Sequence, residues 1–505
     1  MSKKTMKLLC QRRIRIIFIL CSVFVLPSIA AVSSTATLTS PPGRQIPLCG
    51  SLPANKATSL GGASARGQKS LDIQEGVVGI RGGAIASSEE NRLSQCTRQR
   101  LTVLLVATAL FNDMLQLTML LPIIHTLVTS PPPLGVEGNS ELALGVFFAS
   151  KDICQMAMAP VAGVLTSKTS PNVALLLSTV GLGLATAVFA EATTFWQLLF
   201  ARGAQGAASA AVMCGGMSLI AETHSANVRG SAIGLAQTGL AGGLLCGPLI
   251  GGLLFERLGR KQTFRLAAMI VLVNALAQLI LMSFAPPERH IPADNADQDG
   301  NQKQKSGGET TILGSSRLLL TNRDILAVTA STFAIHAVVG VIKPLSQVVL
   351  DREFGVSMVH RSLIISIATV TYFISTPISG WLSDHMSRPH LVALSLGLMA
   401  LSAVSFALRS SFGMLAFNIS VGLLGTSMGV AGSSSQSLLA DLVDHNNIGS
   451  YSMAYALSDV ADSLGLIVGP IVGLFLSQHF GASLGVMSVA TLCVLLTPII
   501  LRIKS

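Results

Sequence analysis

The chain has 505 residues, of which half are hydrophobic and only 11% are charged. Soluble globular proteins carry about 25% charged residues, so this composition excludes a soluble enzyme and predicts an all-α membrane protein. The apolar stretches lack the two-residue alternation of an outer-membrane barrel, which excludes that class. The formal net charge is +10, but residues 1–97 contain twelve basic and four acidic residues and hold most of this excess. The charge therefore gives no reason to expect a nucleic-acid partner.

The first 97 residues have the composition of a targeting segment. Residues 1–31 form a signal-like segment, with basic residues up to position 15, an apolar run over 16–27 and small residues after it. Residues 32–97 resemble a transit peptide, because no acidic residue occurs from 32 to 71 while Ser, Thr, Lys and Arg are present. This order resembles the bipartite leaders of algae with secondary plastids; a disordered tail after a signal anchor is the alternative. We expect an intracellular organelle membrane, the plastid if the leader is bipartite and a secretory-pathway membrane otherwise.

Hydropathy predicts twelve transmembrane helices from residue 98 onward. The predicted spans are 101–129, 142–165, 172–190, 195–221, 229–255, 265–285, 324–350, 359–382, 389–408, 412–440, 451–478 and 481–501. A polar linker, 286–323, separates an N-terminal half (98–285) from a C-terminal half (324–505). Connections on the side of the linker hold twelve Lys or Arg and those on the other side hold seven. Residue 98, the linker and the C-terminus are therefore predicted on the positive, cytosol-like side.

Among the charged residues inside predicted spans, four are the candidates for a functional role: Asp113, Lys151, Arg202 and Asp459. An ionisable group at mid-membrane depth costs roughly 2.5–3.5 kcal/mol on insertion scales, so such groups face a bundle interior and pair with one another. Static buried salt bridges are one interpretation. The other is a proton or cation site, in which pairs break and re-form as the protein changes conformation.

Two further polar positions have two interpretations each, and three more have one. His336 in the seventh span is either a proton relay or a polar group satisfied inside the core. Asp462 follows Asp459 by three residues and either shares a proton with it or points at the loop. Asp152 is expected to be a packing acid, and Asp441 and Asp444, at the end of the tenth span, are expected to be solvated.

Two patterns occur once in each half. A loop pattern after the second span, 163–168, returns 217 residues later at Gly380, Asp384 and Arg388. A Gly–Pro pattern in the fifth span returns 222 residues later in the eleventh, so the two offsets indicate an internal duplication. Its members are Gly243, Gly247, Pro248 and Gly251, then Gly469 and Pro470. Glycines four residues apart make a smooth helix face for a close neighbour. We expect this helix at the interface of the halves, where it can flex or seal.

These patterns resemble the motifs of the major facilitator superfamily. The loop motif G-x-L-x-D-x-x-x-R is matched at 380–388 and is degenerate at 163–168, where Ser167 replaces the acid. Arg202-Gly-Ala-Gln205-Gly206 resembles the R-x-x-Q-G motif of the fourth span. The Gly–Pro pattern of the fifth span is the motif associated with antiporters. The resemblance covers residues 101–503 and implies the major facilitator fold, twelve helices in two six-helix pseudo-repeats.

A narrower resemblance is to the vesicular amine transporters. Asp113, Thr118 and Pro122 match the first helix of that family, Phe147–Lys151 the second and Tyr455–Asp459 the eleventh. The resemblance implies proton-driven exchange, with Asp113 meeting the substrate ammonium and Lys151 pairing with acids. Arg202, Asp459 and His336 are further proton-coupling candidates, and Tyr372 and Tyr455 are expected to bind substrate.

Three departures weaken the expectation of an amine substrate. Met114 replaces an Asn of the family, Lys343 replaces the Glu before Pro344, and Gly432 replaces an Asp. Two acids are lost and a base is gained, so a cavity lined by these residues attracts a cation less strongly. Lys343 is therefore included among the candidate substrate-binding residues.

The sequence predicts a secondary transporter that exchanges protons for a small organic solute, a cationic amine or a drug-like molecule, in a lipid bilayer. The alternatives are a uniporter or symporter of a neutral or anionic metabolite, and a non-transporting receptor on a transporter scaffold. No P-loop, zinc cluster or catalytic triad is recognisable, so we expect neither an enzyme nor a cofactor or metal. A monomer is expected.

Overall fold

The computed structural model describes residues 72–120, 123, 140–284, 312–448 and 450–503. All of them belong to one unit, Gln68–Ser505; the signal-like segment 1–31 and residues 32–71 lie outside the described residues. The helices are α1 (Asp72–Met119), α2 (Ser140–Lys168), α3 (Pro171–Glu191), α4 (Phe195–Thr223), α5 (Ala226–Phe284), α6 (Ile312–Thr321), α7 (Arg323–Arg352), α8 (Met358–His385), α9 (Arg388–Ala407), α10 (Arg409–His445), α11 (Tyr451–Phe480) and α12 (Ala482–Ile500).

Helix α5 supplies two crossing segments, because Gly259 leaves the helical conformation inside it (φ 69°, ψ 174°). A positive φ of this kind is open to glycine and strained for residues with a Cβ atom. Gly481 has a similar backbone conformation between α11 and α12 (φ 87°, ψ 156°). The two glycines are 222 residues apart, the same offset as the Gly–Pro patterns, so the turn is part of the repeat.

The described helices provide twelve crossing segments, which confirms the predicted all-α membrane fold. Ten helices are long and apolar enough to cross a bilayer, and the kinked α5 is one of them. Helix α2 has 29 residues and is long enough to cross, but it is less hydrophobic than the ten helices that qualify. Its charged centre, Lys151 and Asp152, lies in every 18-residue stretch of the helix. Helix α1 begins at Asp72, inside the leader-like segment, and ends at Met119, before the predicted end of the first span.

Helix starts in the loops are fixed by local capping. Ser170, Asn322 and Ser450 accept hydrogen bonds from backbone N–H groups at the starts of α3, α7 and α11. Thr194 and Gln197 form a reciprocal capping box at the start of α4. Such caps satisfy N–H groups that have no partner inside the helix, so they set where each helix begins.

The glycine face of α5 packs on α1 within the same half. A Cβ atom at Gly243, Gly247 or Gly251 would overlap α1 at Phe111, Thr118 or Met119. In the other half, Gly465 and Gly469 approach the backbone of α7 in the same manner. Close approach between helices is therefore confirmed, and α5 lies at the interface of the halves as expected, where it packs on α8, but its glycine face does not form that interface. The glycines hold each half together instead.

The largest contacts between the two halves are those of α2 with α11 and of α5 with α8, and smaller contacts join α4 with α11 and α5 with α10. Gly163 of α2 lies against Ser452 and Ala456 of α11, and Gly234 of α5 lies against Gly380 of α8. Small residues let the backbones approach at both places. These contacts lie near the linker-side ends of the helices.

Candidate functional site: a buried ionic chain between the halves

The centre of the N-terminal half holds a buried ion pair. The Lys151 ammonium of α2 lies 4.0 Å from the Asp113 carboxylate of α1, and the two side chains are only 3% and 5% exposed. Ser209 of α4 donates a hydrogen bond to the other Asp113 oxygen. Three helices thus converge on Asp113, and the structure brings together two residues that the sequence had singled out separately.

This pair continues into the C-terminal half. Lys151 Nζ donates to Gln155 Oε1 at 3.1 Å, and Gln155 Nε2 donates to Asp459 Oδ1 of α11 at 2.8 Å. The sequence analysis missed Gln155; its position four residues after Lys151 places it one turn further along the same face and could have identified it. Asp113, Lys151, Gln155 and Asp459 form what we term the ionic chain. Asp459 Oδ2 is buried and has no hydrogen-bond partner among the described residues.

Arg202 of α4 is buried beside this chain. Its Nη1 donates to Gln205 Oε1 at 3.1 Å, and its guanidinium lies over the Phe147 ring at 5.8 Å from the ring centre. Its Nε and Nη2 atoms have no partner within the described part of the chain. Gly206 places the α4 backbone against Lys151 of α2, where a side chain would overlap. The R-x-x-Q-G sequence thus positions both a cation and the helix contact that holds Lys151.

The C-terminal half contributes a second polar pair. His336 Nδ1 of α7 lies 3.1 Å from Asp462 Oδ1 of α11 and 2.9 Å from the Thr332 carbonyl oxygen. Asp462 therefore faces α7 rather than a loop. Lys343 follows His336 by two helical turns, so it lies on the same face of α7. Its side chain is exposed although its neighbour Ile342 is fully buried.

The two tyrosines expected to bind substrate are both buried. Tyr372 of α8 is 6% exposed and Tyr455 of α11 is 1% exposed. The Tyr455 hydroxyl donates to the Gln436 carbonyl oxygen of α10 at 3.3 Å. In this conformation Tyr455 thus joins two helices of its own half, and the structure does not bring it together with the ionic chain.

A polar seal closes the linker side between α5 and α8. Asp384 of α8 accepts hydrogen bonds from the Gly230 and Ser231 backbone N–H groups at 2.7 and 2.8 Å, and from the Ser231 hydroxyl. These donors lie in the first turns of α5, where the helix dipole favours a negative charge. The acid of the loop motif therefore binds the backbone near the start of a helix of the opposite half.

Two arginines extend this seal to α10. Arg388 donates to Asp441 and to the Ala226 carbonyl oxygen of α5. Arg229 of α5 donates to Asp444 at 2.8 Å and to Asp441 at 3.4 Å. The expectation that Asp441 and Asp444 are merely solvated was wrong, because each pairs with an arginine across or beside the interface.

The tenth-helix departure also lies at the interface. A Cβ atom at Gly432 would overlap the Gln237 side chain of α5, and Gln237 Nε2 donates to the Gly432 carbonyl oxygen at 3.1 Å. An amide from the opposite half therefore occupies the space that a side chain at position 432 would need. The hydrogen bonds and ion pairs described here between the halves all lie in the linker-side parts of their helices. The conformation is thus closed on the linker side, while Lys343 is exposed.

Comparisons with known proteins agree with this architecture. The sequence model of the Major Facilitator Superfamily matches residues 101–351 and 328–504. The synaptic vesicular amine transporter of Bos taurus is 26% identical over 369 residues, which cover 73% of this chain and 67% of that protein. The probable vesicular acetylcholine transporter-B of Danio rerio is 25% identical over 419 residues, 81% of this chain and 77% of that protein.

A solved structure shows the same fold. The crystal structure of the human organic anion transporter MFSD10 (TETRAN) superposes with a TM-score of 0.62 at 16% identity, covering 80% of this chain and 99% of that one. The family match extends over both halves and includes the loop motif, the R-x-x-Q-G sequence and the Gly–Pro patterns. The chain therefore belongs to the major facilitator superfamily of multi-pass membrane transporters and is not an enzyme.

Proposed function

We propose that this transporter exchanges protons for a small organic solute by alternating access. The observation that carries the proposal is the ionic chain, because one ion pair and two hydrogen bonds connect two buried carboxylates and a lysine from α1 to α11. The solute would bind between the halves, near Asp113, Lys151 and Lys343, with Tyr372 on the wall of the site.

Proton binding changes the partners within this chain. A protonated Asp113 loses its charge, so its attraction for the Lys151 ammonium falls. In a medium of low dielectric constant this loss is large compared with the same event in water. Lys151 then turns further toward Gln155 and Asp459, or toward the solute. Because Asp459 belongs to the opposite half, each change of partner alters the contact between the halves.

The linker-side seal supplies the other part of the cycle. Asp384 and Arg388 hold α8 against the first turn of α5 in the conformation described here. Opening on the linker side requires these bonds to break, and opening on the far side leaves them intact. The ionic chain lies at the α2–α11 contact and the seal at the α5–α8 contact of the same interface. A movement of the halves at one contact therefore changes the distances between bonded groups at the other.

The names of the relatives suggest the solute class. The matched relatives are amine and acetylcholine transporters, and a cationic amine or drug-like molecule is therefore our first candidate. Asp113 would then meet the solute ammonium, in competition with Lys151. Because only the ionised carboxylate attracts an ammonium, a protonated Asp113 must release its proton before the cation binds, and this couples the two events.

Replacing Asp113 by Asn tests the coupling. The amide cannot be charged, so we expect uptake driven by an imposed pH gradient in proteoliposomes to fall to background, with the helical content unchanged. Glu256→Gln is the matched control, since Glu256 is exposed near the far end of the fifth span. Full gradient-driven uptake by Asp113→Asn would exclude the proposed coupling role.

A second candidate is a uniporter or symporter of a neutral or anionic metabolite. The exposed Lys343 favours it, because an ammonium facing the solute path repels cations. Uptake that is indifferent to the pH gradient would support it. A receptor without transport is the third candidate, and ligand binding without any solute flux would support that one.

We propose an intracellular organelle membrane as the location, with the plastid as the membrane if residues 1–97 act as a bipartite leader. The names of vesicular relatives support an organelle membrane. Fluorescence of a fusion of residues 1–97 in an algal cell tests the leader, and labelling of the secretory pathway alone would contradict the plastid.

A further inference from the structure

A histidine and an aspartate face each other between α7 and α11, apart from the ionic chain. His336 Nδ1 lies 3.1 Å from Asp462 Oδ1, and the two side chains are 23% and 19% exposed. Helix α11 approaches α7 closely at this level, because a Cβ atom at Gly465 would overlap the His336 Cβ atom and the Phe333 carbonyl oxygen. The tight helix contact therefore holds the two groups, which we term the His–Asp pair, at a short distance.

The neighbours of the His336 ring determine which of its nitrogens is free. Nδ1 lies 2.9 Å from the Thr332 carbonyl oxygen and beside the Asp462 carboxylate, and both of these groups are acceptors. Nδ1 therefore carries a hydrogen in either charge state of the ring. In the neutral ring Nε2 has a lone pair, and within the described part of the chain no residue donates a hydrogen bond to it. Because the side chain is partly exposed, water can deliver a proton to Nε2.

Asp462 requires a positive charge close by. Its Oδ1 atom is buried and receives no hydrogen bond from any described residue. A buried carboxylate without a donor or a counter-charge is unfavourable. The neutral ring does not supply one, because its Nδ1 hydrogen is bound to the Thr332 carbonyl oxygen. A protonated ring at 3.1 Å supplies the counter-charge without any change of geometry.

The other charges on the helices packed against α7 are more distant. Lys343 follows His336 by two helical turns, a rise of about 10.5 Å, so at equal dielectric constant it repels an imidazolium with roughly a third of the attraction from Asp462. The Asp, Glu, Lys, Arg and His residues of α6, α8, α9 and α10 lie within the first or last five residues of these helices, and α12 has none. Asp462 therefore has the strongest influence on the charge of His336.

The charges on the other side of α11 belong to the N-terminal half. Lys151 pairs with Asp113, and Arg202 donates to Gln205. Asp152 of α2 is a further acid, and its charge would add to the attraction for an imidazolium. In the described structure none of these groups forms an ion pair with the His–Asp pair.

The His–Asp pair lies one helical turn from the ionic chain. Asp462 follows Asp459 by three residues on α11, so the two carboxylates are neighbours, and like charges at this spacing repel. A protonated His336 compensates one of the two charges. When His336 loses its proton, Asp459 binds a proton more readily. A neutral acid accepts a weaker hydrogen bond than a carboxylate, so the bond from Gln155 that joins the halves then weakens.

We propose that His336 and Asp462 form a second proton-binding site, in which the proton binds to the Nε2 lone pair and Asp462 stays ionised as its counter-charge. Nδ1 keeps its hydrogen, no other bond forms or breaks, and the ring gains one positive charge. This inference rests on the proposed proton exchange. It adds a proton carrier in the C-terminal half to the carboxylate of the N-terminal half.

Nuclear magnetic resonance of the full chain in lipid nanodiscs tests the site without any solute. The chain carries isotope-labelled histidine and aspartate, and the His336 signals are those missing in His336→Gln. As the pH falls from about 9 to about 5, we expect Nε2 to become protonated while Nδ1 stays protonated. A ring that keeps one charge state over the whole range, or that has no hydrogen on Nδ1, would overturn the proposal.

Asp462→Asn tests the counter-charge. At the pH where half of His336 is charged in the parent, we expect the charged fraction to fall about three-fold or more. Asp462→Glu keeps the charge and should retain most of that fraction, so it preserves the test if Asp462→Asn is unstable. His479 is the internal control: its Nδ1 also lies 2.9 Å from a carbonyl oxygen, that of Phe475, but it is exposed near the end of α11. Its charged fraction should not change, and an unchanged fraction at His336 would exclude Asp462 as the counter-charge.

The aspartate signals test the link to the ionic chain. The Asp459 signal is identified by its loss in Asp459→Asn. At the same pH, a larger fraction of Asp459, by about 1.5-fold or more, should be protonated in His336→Gln than in His479→Gln. Equal fractions in the two variants would overturn the link.

These outcomes are separate from the test of the proposed function. If His336 does not titrate while Asp113→Asn abolishes gradient-driven uptake, the second site is wrong and proton exchange stands. If His336 titrates while Asp113→Asn retains full uptake, the second site stands and the role proposed for Asp113 is wrong.

Discussion

At the residue scale, Gln155 is the neutral member of the ionic chain and yet it connects the two halves. It accepts from Lys151 and donates to Asp459, so its amide satisfies a cation on one side and a carboxylate on the other. An amide can do both because it carries an acceptor and two donors without a charge. A charged residue at this position would bind one neighbour and repel the other.

Gln155→Ala should uncouple the halves. Asp459 would lose the one hydrogen bond that the described residues give it, and an unsatisfied buried group costs about 1–3 kcal/mol. We expect a ten-fold fall in gradient-driven exchange and a shifted pH dependence of exchange in proteoliposomes. Gln262→Ala, at an exposed position of α5, serves as the control. An unchanged pH profile in Gln155→Ala would restrict Gln155 to a packing role.

At the element scale, two adjacent glycines of α5 have opposite surroundings. A Cβ atom at Gly251 would overlap the α1 backbone at Met119, whereas one at Gly252 would meet no atom within 4 Å. Both positions are helical, so the helix propensity of alanine is the same at each. The pair therefore separates helix packing from helix propensity.

Gly251→Ala should destabilise the protein and Gly252→Ala should stabilise it slightly. Overpacking costs about 1–3 kcal/mol, while glycine to alanine in a helix gains roughly 0.5–1 kcal/mol. The apparent melting temperature of the purified protein measures both changes. Equal melting temperatures for the two variants would contradict the tight contact between α5 and α1.

The sequence alone identified the important residues and helix faces better than it identified the residues and helices that they contact. Asp113, Lys151 and Asp459 were recognisable because charges are rare in apolar spans. The glycine face of α5 was recognisable too, but which helix it contacts depends on tertiary packing that a single helix pattern does not contain. Gln155, Asp441 and Asp444 were missed or misread for the same reason, since their partners lie far away in the sequence. Arg229 and Asp444, for example, are joined only by the meeting of α5 and α10.

At the scale of the whole molecule, each half is reinforced internally on the far side. Arg409 of α10 donates two hydrogen bonds to Glu353 and a third to Ser483 of α12. In the other half Arg260 donates to the Phe189 and Ala192 carbonyl oxygens at the end of α3. These bonds lie within a half, so the halves can move as bodies without breaking them.

Opening on the linker side can be followed at a native thiol. Cys214 of α4 is fully buried and packs in a cluster with Ala456 of the opposite half. Asp384→Asn removes the charge that accepts the N–H groups near the start of α5, so we expect a larger open population and faster labelling of Cys214 by a hydrophilic maleimide. The measurement uses a variant in which Cys214 is the one remaining cysteine.

A second single-cysteine variant controls for general loosening. Cys493 of α12 is equally buried but belongs to the core of the C-terminal half. Its labelling rate should not change in Asp384→Asn. If both thiols react faster, the substitution has destabilised the protein; if neither does, Asp384 does not hold the linker side closed.

The loop motif is complete in one half only, and this asymmetry has a mechanical consequence. At the α5–α8 edge several bonds converge on Asp384 and Arg388, whereas at the α2–α11 edge Gly163 meets Ser452 and Ala456 by simple van der Waals contact. Separation of α5 from α8 breaks several of these bonds at once, whereas rotation about the α2–α11 contact requires only the hydrogen bond from Gln155 to Asp459 to adjust. We expect the linker side to open first between α5 and α8, by rotation of the halves about the α2–α11 contact. Equal separation of both helix pairs is not expected.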